Sequence, residues 1–228
     1  MNTAEDLFAV SAEIWSAYFR HPFVRGIRDG TLDKARFRFY LMQDDLYLEE
    51  YAKVFALGAA KAESLSTALL FSEYLAAINR ERAVHGGYFE KLSVSEEELK
   101  TTPRALDNLS YTSYMLRVGY EGGEAEILAA ILSCAYSYEL IAKRMLAENP
   151  RAGSDSFYGA WVREYASESY AAENAKLIAA LNAVTEAATP AKRQRLRDIF
   201  LNCSRYELKF WEMAWQQKKR LALMRAYI

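Results

Sequence analysis

Histidine is the scarcest reactive residue in this chain: there are two, His21 and His85, in 228 residues. That scarcity removes histidine-rich zinc sites and the paired Glu-x-x-His pattern of di-iron bundles. It also leaves a Ser-His-Asp triad few candidates. Cysteine is equally rare, with Cys134 and Cys203 alone, too few for a disulfide framework. In a reducing compartment both are expected as free thiols. Charge of one sign is absent too: 29 basic residues face 30 acidic ones, for a net charge of −1. A nucleic-acid surface needs a basic excess to displace phosphate counterions, so none is expected. No uninterrupted apolar run approaches the roughly 18 residues of a membrane span. The opening MNTAEDLFAV has neither the basic start nor the apolar core of a secretory signal. The expected setting is a soluble, cytoplasmic protein without a membrane or nucleic-acid partner.

Hydrophobic residues make up 52% of the chain, enough for a packed core. No alternating strand pattern is present, and the long segments repeat with helical period. The four prolines (Pro22, Pro103, Pro150 and Pro190) all fall where segments meet, and no glycine follows Gly159. The periodicity predicts helices over about 4–19, 33–62 with Asp33 as cap, 65–89, 105–119 and 124–147. It predicts two more over 154–188 with a break near Ser167, and a last one from Pro190 to about Arg225. On the first helix Leu7, Val10, Ile14 and Tyr18 form the expected buried stripe. HPFVRGIRDGTL reads as a turn-rich connector, and Ser95-x-x-Glu98 as a capping box for a short helix. With no linker or repeat, residues 1–228 are expected to form one all-α helical domain.

Three groups sit where chemistry is expected. Asp44 shares a helix face with Tyr47, Leu48, Tyr51 and Phe55, where a bare carboxylate is costly. It either caps or pairs with a buried Arg or Tyr, or it faces a pocket. Asp45, Glu49 and Glu50 fall on other faces and read as solvated. Glu207 lies on a stripe with Cys203, Phe210, Trp211 and Ala214. It is either a buried structural pair or an acid whose proton is held tightly by desolvation. Cys134 shares a face with Ile127, Ala130, Ile131, Tyr138 and Ile141. A free cysteine there is either inert packing or a nucleophile. Cys203 reads as core. Sixteen tyrosines are many for this length. Tyr111, Tyr114 and Tyr165 offer flat faces and hydroxyls suited to a planar heteroaromatic ligand.

These segments, taken in order, resemble the TenA family, also called thiaminase II or aminopyrimidine aminohydrolase. HPFVRGIRDGTL and RFYLMQDDLYL look like its opening, SYTSYML and AEILAAILSC its middle, and YELKFWEMAW its close, over nearly the whole chain. The resemblance implies a haem-oxygenase-like bundle without haem, commonly a homotetramer, with no metal or cofactor. It implies Cys134 as nucleophile, Glu207 as the facing acid, and Asp44 as the group that binds the amino and ring nitrogens of a 4-aminopyrimidine. Tyr47, Tyr111, Tyr138, Tyr165 and Phe210 match pocket-lining positions. The implied reaction converts 4-amino-5-aminomethyl-2-methylpyrimidine to the hydroxymethyl form, with thiamin as a further substrate. Ser133 and Ala135 depart from the proline and bulky aromatic that relatives can carry, and Tyr138 is followed directly by Glu139. These changes bear on pocket size and leaving group. Two other readings remain on the same fold: an oxidase or oxygenase, and a non-catalytic pyrimidine-binding or regulatory protein.

Overall fold

The computed structural model describes residues 2–217, and among these every regular element is helical. Ten α-helices run in order: α1 (Thr3–Arg20), α2 (Pro22–Arg28), α3 (Lys34–Lys61), α4 (Leu65–Lys91), α5 (Glu96–Thr101), α6 (Leu106–Glu121), α7 (Glu124–Glu148), α8 (Gly159–Tyr165), α9 (Glu168–Val184) and α10 (Pro190–Gln216). A single 3-10 turn (Ala152–Ser154) precedes α8. The expected continuation of the last helix to about Arg225 lies outside the described residues.

The caps explain the boundaries. Asn2, Asp33, Ser64, Ser95, Ser167 and Thr189 each accept a backbone N–H of the first turn, which satisfies a donor the helix cannot. Pro22 and Pro190 stand at helix starts, where a missing N–H removes nothing. The Ser95 cap is present, but the Glu98 side chain bonds Arg38 of α3. Gly86 and Gly87 lie inside α4 without breaking it.

Two expectations are corrected. The segment read as a connector contains α2: Pro22 starts it, and Phe23, Val24 and Ile27 are buried on one side. On α1, Val10 is exposed, and Ser11 and Trp15 are buried in its place. The stripe is rotated because α1 packs mainly on α10, with lesser contacts to α9 and α7.

Helix α7 is the centre of the bundle. It contacts α10, α9, α8, α3 and α6, and its residues Ile127–Leu132 are all fully buried. By length and composition α7 could cross a membrane, but 83% of its most apolar window is buried against the other helices. A helix apolar all round is what a bundle centre requires. Its buried start is held by Glu126, which accepts from Gly123 N–H at 3.1 Å and pairs with Lys192 at 2.6 Å and Arg195 at 3.3 Å.

The longest pairing is α3 with α4. They meet closely at Gly58, where a Cβ would fall 2.5 Å from the Phe71 ring. Phe71 is fully buried and has no room to withdraw. Gly58→Ala should therefore destabilise the fold by about 1–3 kcal/mol, read as a lower urea midpoint at unchanged slope. A midpoint equal to or above that of the parent protein would show that the two helices do not depend on this contact.

Candidate active site

Between α3, α4, α7, α8 and α9 lies a pocket of about 740 Å³, its open mouth included. Asp44, Tyr47, Cys134, Tyr138 and Tyr165 all line it. Tyr51, Phe55, Tyr74 and Tyr170, none singled out from sequence as lining residues, also line it. Glu207, Tyr111 and Phe210 stand behind this lining. Phe210 packs edge-on against Tyr47, with centroids 5.8 Å apart, and Tyr111 lies 5.3 Å from Tyr47. Tyr114 is outside the pocket, half-buried and bonded to Asn202. Cys203 is fully buried core.

Cys134 and Glu207 meet where α7 crosses α10. They are 9% and 2% exposed. Burial pushes the Cys134 thiol well above its ordinary range, and the Glu207 carboxylate pushes it further, against a smaller opposing effect from Tyr47. Burial also raises Glu207, to about 8, although the neighbouring Cys134 and Tyr111 favour its charged form. Both groups hold their protons at neutral pH. The Glu207 Oε2 and Tyr111 hydroxyl are buried without a hydrogen-bond partner among the described residues. Such atoms are costly unless a ligand or water satisfies them.

Asp44 anchors the other end. It is 4% exposed, and its Oδ2 lies 3.3 Å from His85 Nε2 of α4. That is an ion-pair distance without hydrogen-bond alignment, since Asp44 Oδ2 and both His85 ring nitrogens have no hydrogen-bond partner. The partner is thus neither the Arg nor the Tyr considered from sequence. Burial pushes the His85 imidazole down, and the carboxylates of Asp44, Glu81 and Asp45 more than offset it. Glu81, one turn before His85, is partly buried and accepts a 2.5 Å hydrogen bond from the Tyr165 hydroxyl. Burial raises its carboxyl, and Asp44 raises it further.

Asp44, Glu81 and His85 each offer one ligand atom within 4.8 Å of the others, so the trio could hold a cation. Sequence reasoning missed Glu81 and His85. Their signal was available: Tyr74, Ile78, Glu81, His85 and Tyr88 recur at steps of three and four on one stripe of α4. Asp45, read as solvated, is buried and held by Arg82 of α4 at 2.9 and 3.2 Å.

Tyrosines connect the two ends. Tyr40 and Tyr138 hydroxyls lie 3.3 Å apart, and Trp161 Nε1 donates to Tyr40 at 3.4 Å. Desolvation keeps the hydroxyls of Tyr40, Tyr47, Tyr111, Tyr138 and Tyr165 neutral. The pocket therefore offers a thiol with an acid behind it, two carboxylates, and flat neutral donors around them. That suits a planar, nitrogen-rich ring.

Residues 10–217 match the model of the TENA/THI-4/PQQC family. The chain belongs to that family. An aminopyrimidine aminohydrolase from Helicobacter pylori is 41% identical over 217 residues, covering 95% of this chain and all of that one. A solved TenA family transcription regulator from Silicibacter sp. TM1040 superposes with a TM-score of 0.86 at 30% identity, over 93% of this chain and 96% of that one. A domain from Shewanella denitrificans with a haem oxygenase-like fold superposes at 0.71 with 14% identity, over 94% of this chain and 92% of that one. The last likeness is one of fold alone.

The buried acid has a consequence for stability. A carboxyl raised from 4.5 to about 8 favours the folded state most below pH 4.5, and that advantage is lost as pH rises to about 8. Glu207→Gln keeps the shape without the titration. It should gain stability over the parent as pH rises, on the order of 3 kcal/mol between pH 4.5 and 7. Melting curves at several pH values check this, and a pH-independent difference would refute it.

Proposed function

We propose that this protein is an aminopyrimidine aminohydrolase of thiamin salvage. It converts 4-amino-5-aminomethyl-2-methylpyrimidine to its hydroxymethyl counterpart with release of ammonia, and thiamin is a further substrate. The observation that carries the reading is the pairing of the Cys134 thiol with the Glu207 carboxyl behind it, in a tyrosine-lined pocket that Cys134 and Asp44 both line. The family and the aminohydrolase relative support it.

In this mechanism Asp44 accepts from the 4-amino group and fixes the ring, while the tyrosines hold its plane. The substituent on an aromatic ring's methylene arm does not leave easily. Cys134 sulfur therefore adds to a ring carbon and breaks aromaticity. Glu207 gives its proton to a ring nitrogen and takes the thiol proton in the same exchange, so no free thiolate is required. The ring electrons then expel the arm's leaving group, forming an exocyclic methylene. Water adds to that carbon, and the sulfur departs by reversal of the first exchange. This chemistry calls on no metal or cofactor. The acid form of Glu207 is the active one, so turnover should fall above pH about 8.

We assign residues 1–228 to one TenA-like domain in a cytoplasmic homotetramer. Leu65, Leu69 and Leu75 of α4 and Leu106, Leu109 and Tyr120 of α6 are exposed, and both helices flank α3. Apolar side chains in that number support association between copies. Light scattering of the eluting protein should give the mass of four chains, and a monomer would dismiss the assembly.

Cysteine replacement tests the chemistry. Cys134→Ser should lower ammonia release by about 100-fold or more with product binding intact, because serine has no base strong enough beside it. Cys203→Ser should leave turnover nearly unchanged. Ammonia release should persist without oxygen, which an oxidase or oxygenase could not achieve. Full activity of Cys134→Ser would eliminate covalent catalysis, and a parent protein that releases no ammonia would favour the binding-protein reading.

A further inference from the structure

Glu81 has no part in the mechanism above, yet it lines the same pocket as Asp44 and Cys134. Its Oε1 is fixed by the Tyr165 hydroxyl at 2.5 Å, and no other side-chain hydrogen bond to it is made among the described residues. Its carboxyl and that of Asp44 lie within 4.8 Å of each other. Asp44 is 4% exposed, and its Oδ2 has no hydrogen-bond partner. Two carboxylates this close, with His85 the nearest cation, leave room for a second positive charge. The mouth adds to the bias. Glu164 and Glu173 line it, and Arg80 is already paired to Glu173.

The proposed substrate has two exocyclic nitrogens on neighbouring ring carbons: the 4-amino group and the 5-aminomethyl nitrogen. Neighbouring substituents lie only a few ångströms apart, which matches two adjacent acceptors. If Asp44 takes the first, Glu81 faces the second. We propose that Glu81 is the leaving-group residue, holding the arm nitrogen as an ammonium until its bond to carbon breaks. The inference rests on the aminohydrolase reading and deepens it.

The step balances without a further reagent. The arm nitrogen carries three hydrogens and a positive charge opposite the Glu81 carboxylate. When the carbon–nitrogen bond breaks, the bonding pair goes with nitrogen, which leaves as neutral ammonia, and the positive charge passes to the ring adduct. Water then adds to the exocyclic carbon and gives one proton to Glu81. Glu81 passes that proton to the departing ammonia and is a carboxylate again for the next turnover. A neutral side chain could not keep the arm protonated in a pocket that penalises charge.

The test compares a ligand that has the ammonium with one that lacks it. Turnover of the aminomethyl pyrimidine and calorimetric binding of the hydroxymethyl product are measured for the parent, Glu81→Gln and Glu81→Asp. Glu81→Gln should lower kcat/KM by about 100-fold, while the product Kd changes by no more than about threefold. Glu81→Asp keeps the charge and should recover about tenfold of the loss. Near-parent turnover of Glu81→Gln would overturn the proposal. So would product binding that weakens in step with turnover in both variants, since that marks a structural role. A parent protein that binds the product but does not consume the aminomethyl compound would instead remove the aminohydrolase reading itself.

Discussion

Everything at this site follows from placing a carboxyl against a thiol inside a shell of rings. Glu207 of α10 meets Cys134 of α7 with Tyr47, Tyr111 and Phe210 around them, and water is largely excluded. In such surroundings an uncompensated charge is expensive, so both protons stay on. Burial thus disfavours a preformed thiolate, the usual device of reactive cysteines, as the resting state. What the arrangement does offer is exchange. A ring nitrogen that takes one proton from Glu207 makes that carboxylate a base for the thiol beside it. In the proposed mechanism, the burial that disfavours the thiolate couples its formation to the arrival of a basic ring.

The opposite wall obeys different electrostatics. There Asp44, Glu81 and Asp45 accumulate negative charge along the contact of α3 with α4, and His85 and Arg82 balance part of it. The same two helices also pack closely at Gly58 and Phe71, further along their contact. A ligand carrying positive charge or several N–H donors would relieve the repulsion between the carboxylates. The pocket thus gathers a protonated thiol and acid, a cluster of carboxylates and a lining of rings around one space. That arrangement suits a flat ring with a basic edge and a donor edge.

Much of this was legible in the sequence, and the exceptions share a cause. Helix boundaries were readable because they are local: Asp33, Ser167 and Pro190 act on their own first turns. Cys134, Asp44 and Glu207 stood out because each interrupts an apolar stripe, and resemblance to a family supplied their proposed roles. What was lost depends on partners far along the chain. Asp45 looks solvated on α3 until Arg82 arrives from α4. Val10 looks buried until α10 settles against a different face of α1. His85 was set aside because two histidines cannot build a zinc site. Yet one histidine suffices to balance a carboxylate, and the stripe it shares with Glu81 was as regular as the one that drew notice to Asp44.

The distribution of these groups over the helices suggests how specificity is divided. The groups proposed to act on the ring come from α3, α7 and α10. Glu81, proposed to face the arm, comes from α4, which lines the pocket together with α8 and α9. Ala135 is the hinge between the two sets. Its carbonyl accepts from Tyr170 at 3.1 Å and from Asn174 at 3.2 Å, so α9 is docked on the residue directly after Cys134. Asn174 is further fixed by Glu139 at 2.7 Å. Ser133, Ala135 and Glu139, read from the family resemblance as departures, lie on α7, and the last two bond α9. Changes at 135 and 139 would alter how α9 docks on this side of the pocket. One fold can in this way keep its ring chemistry and change what it expels.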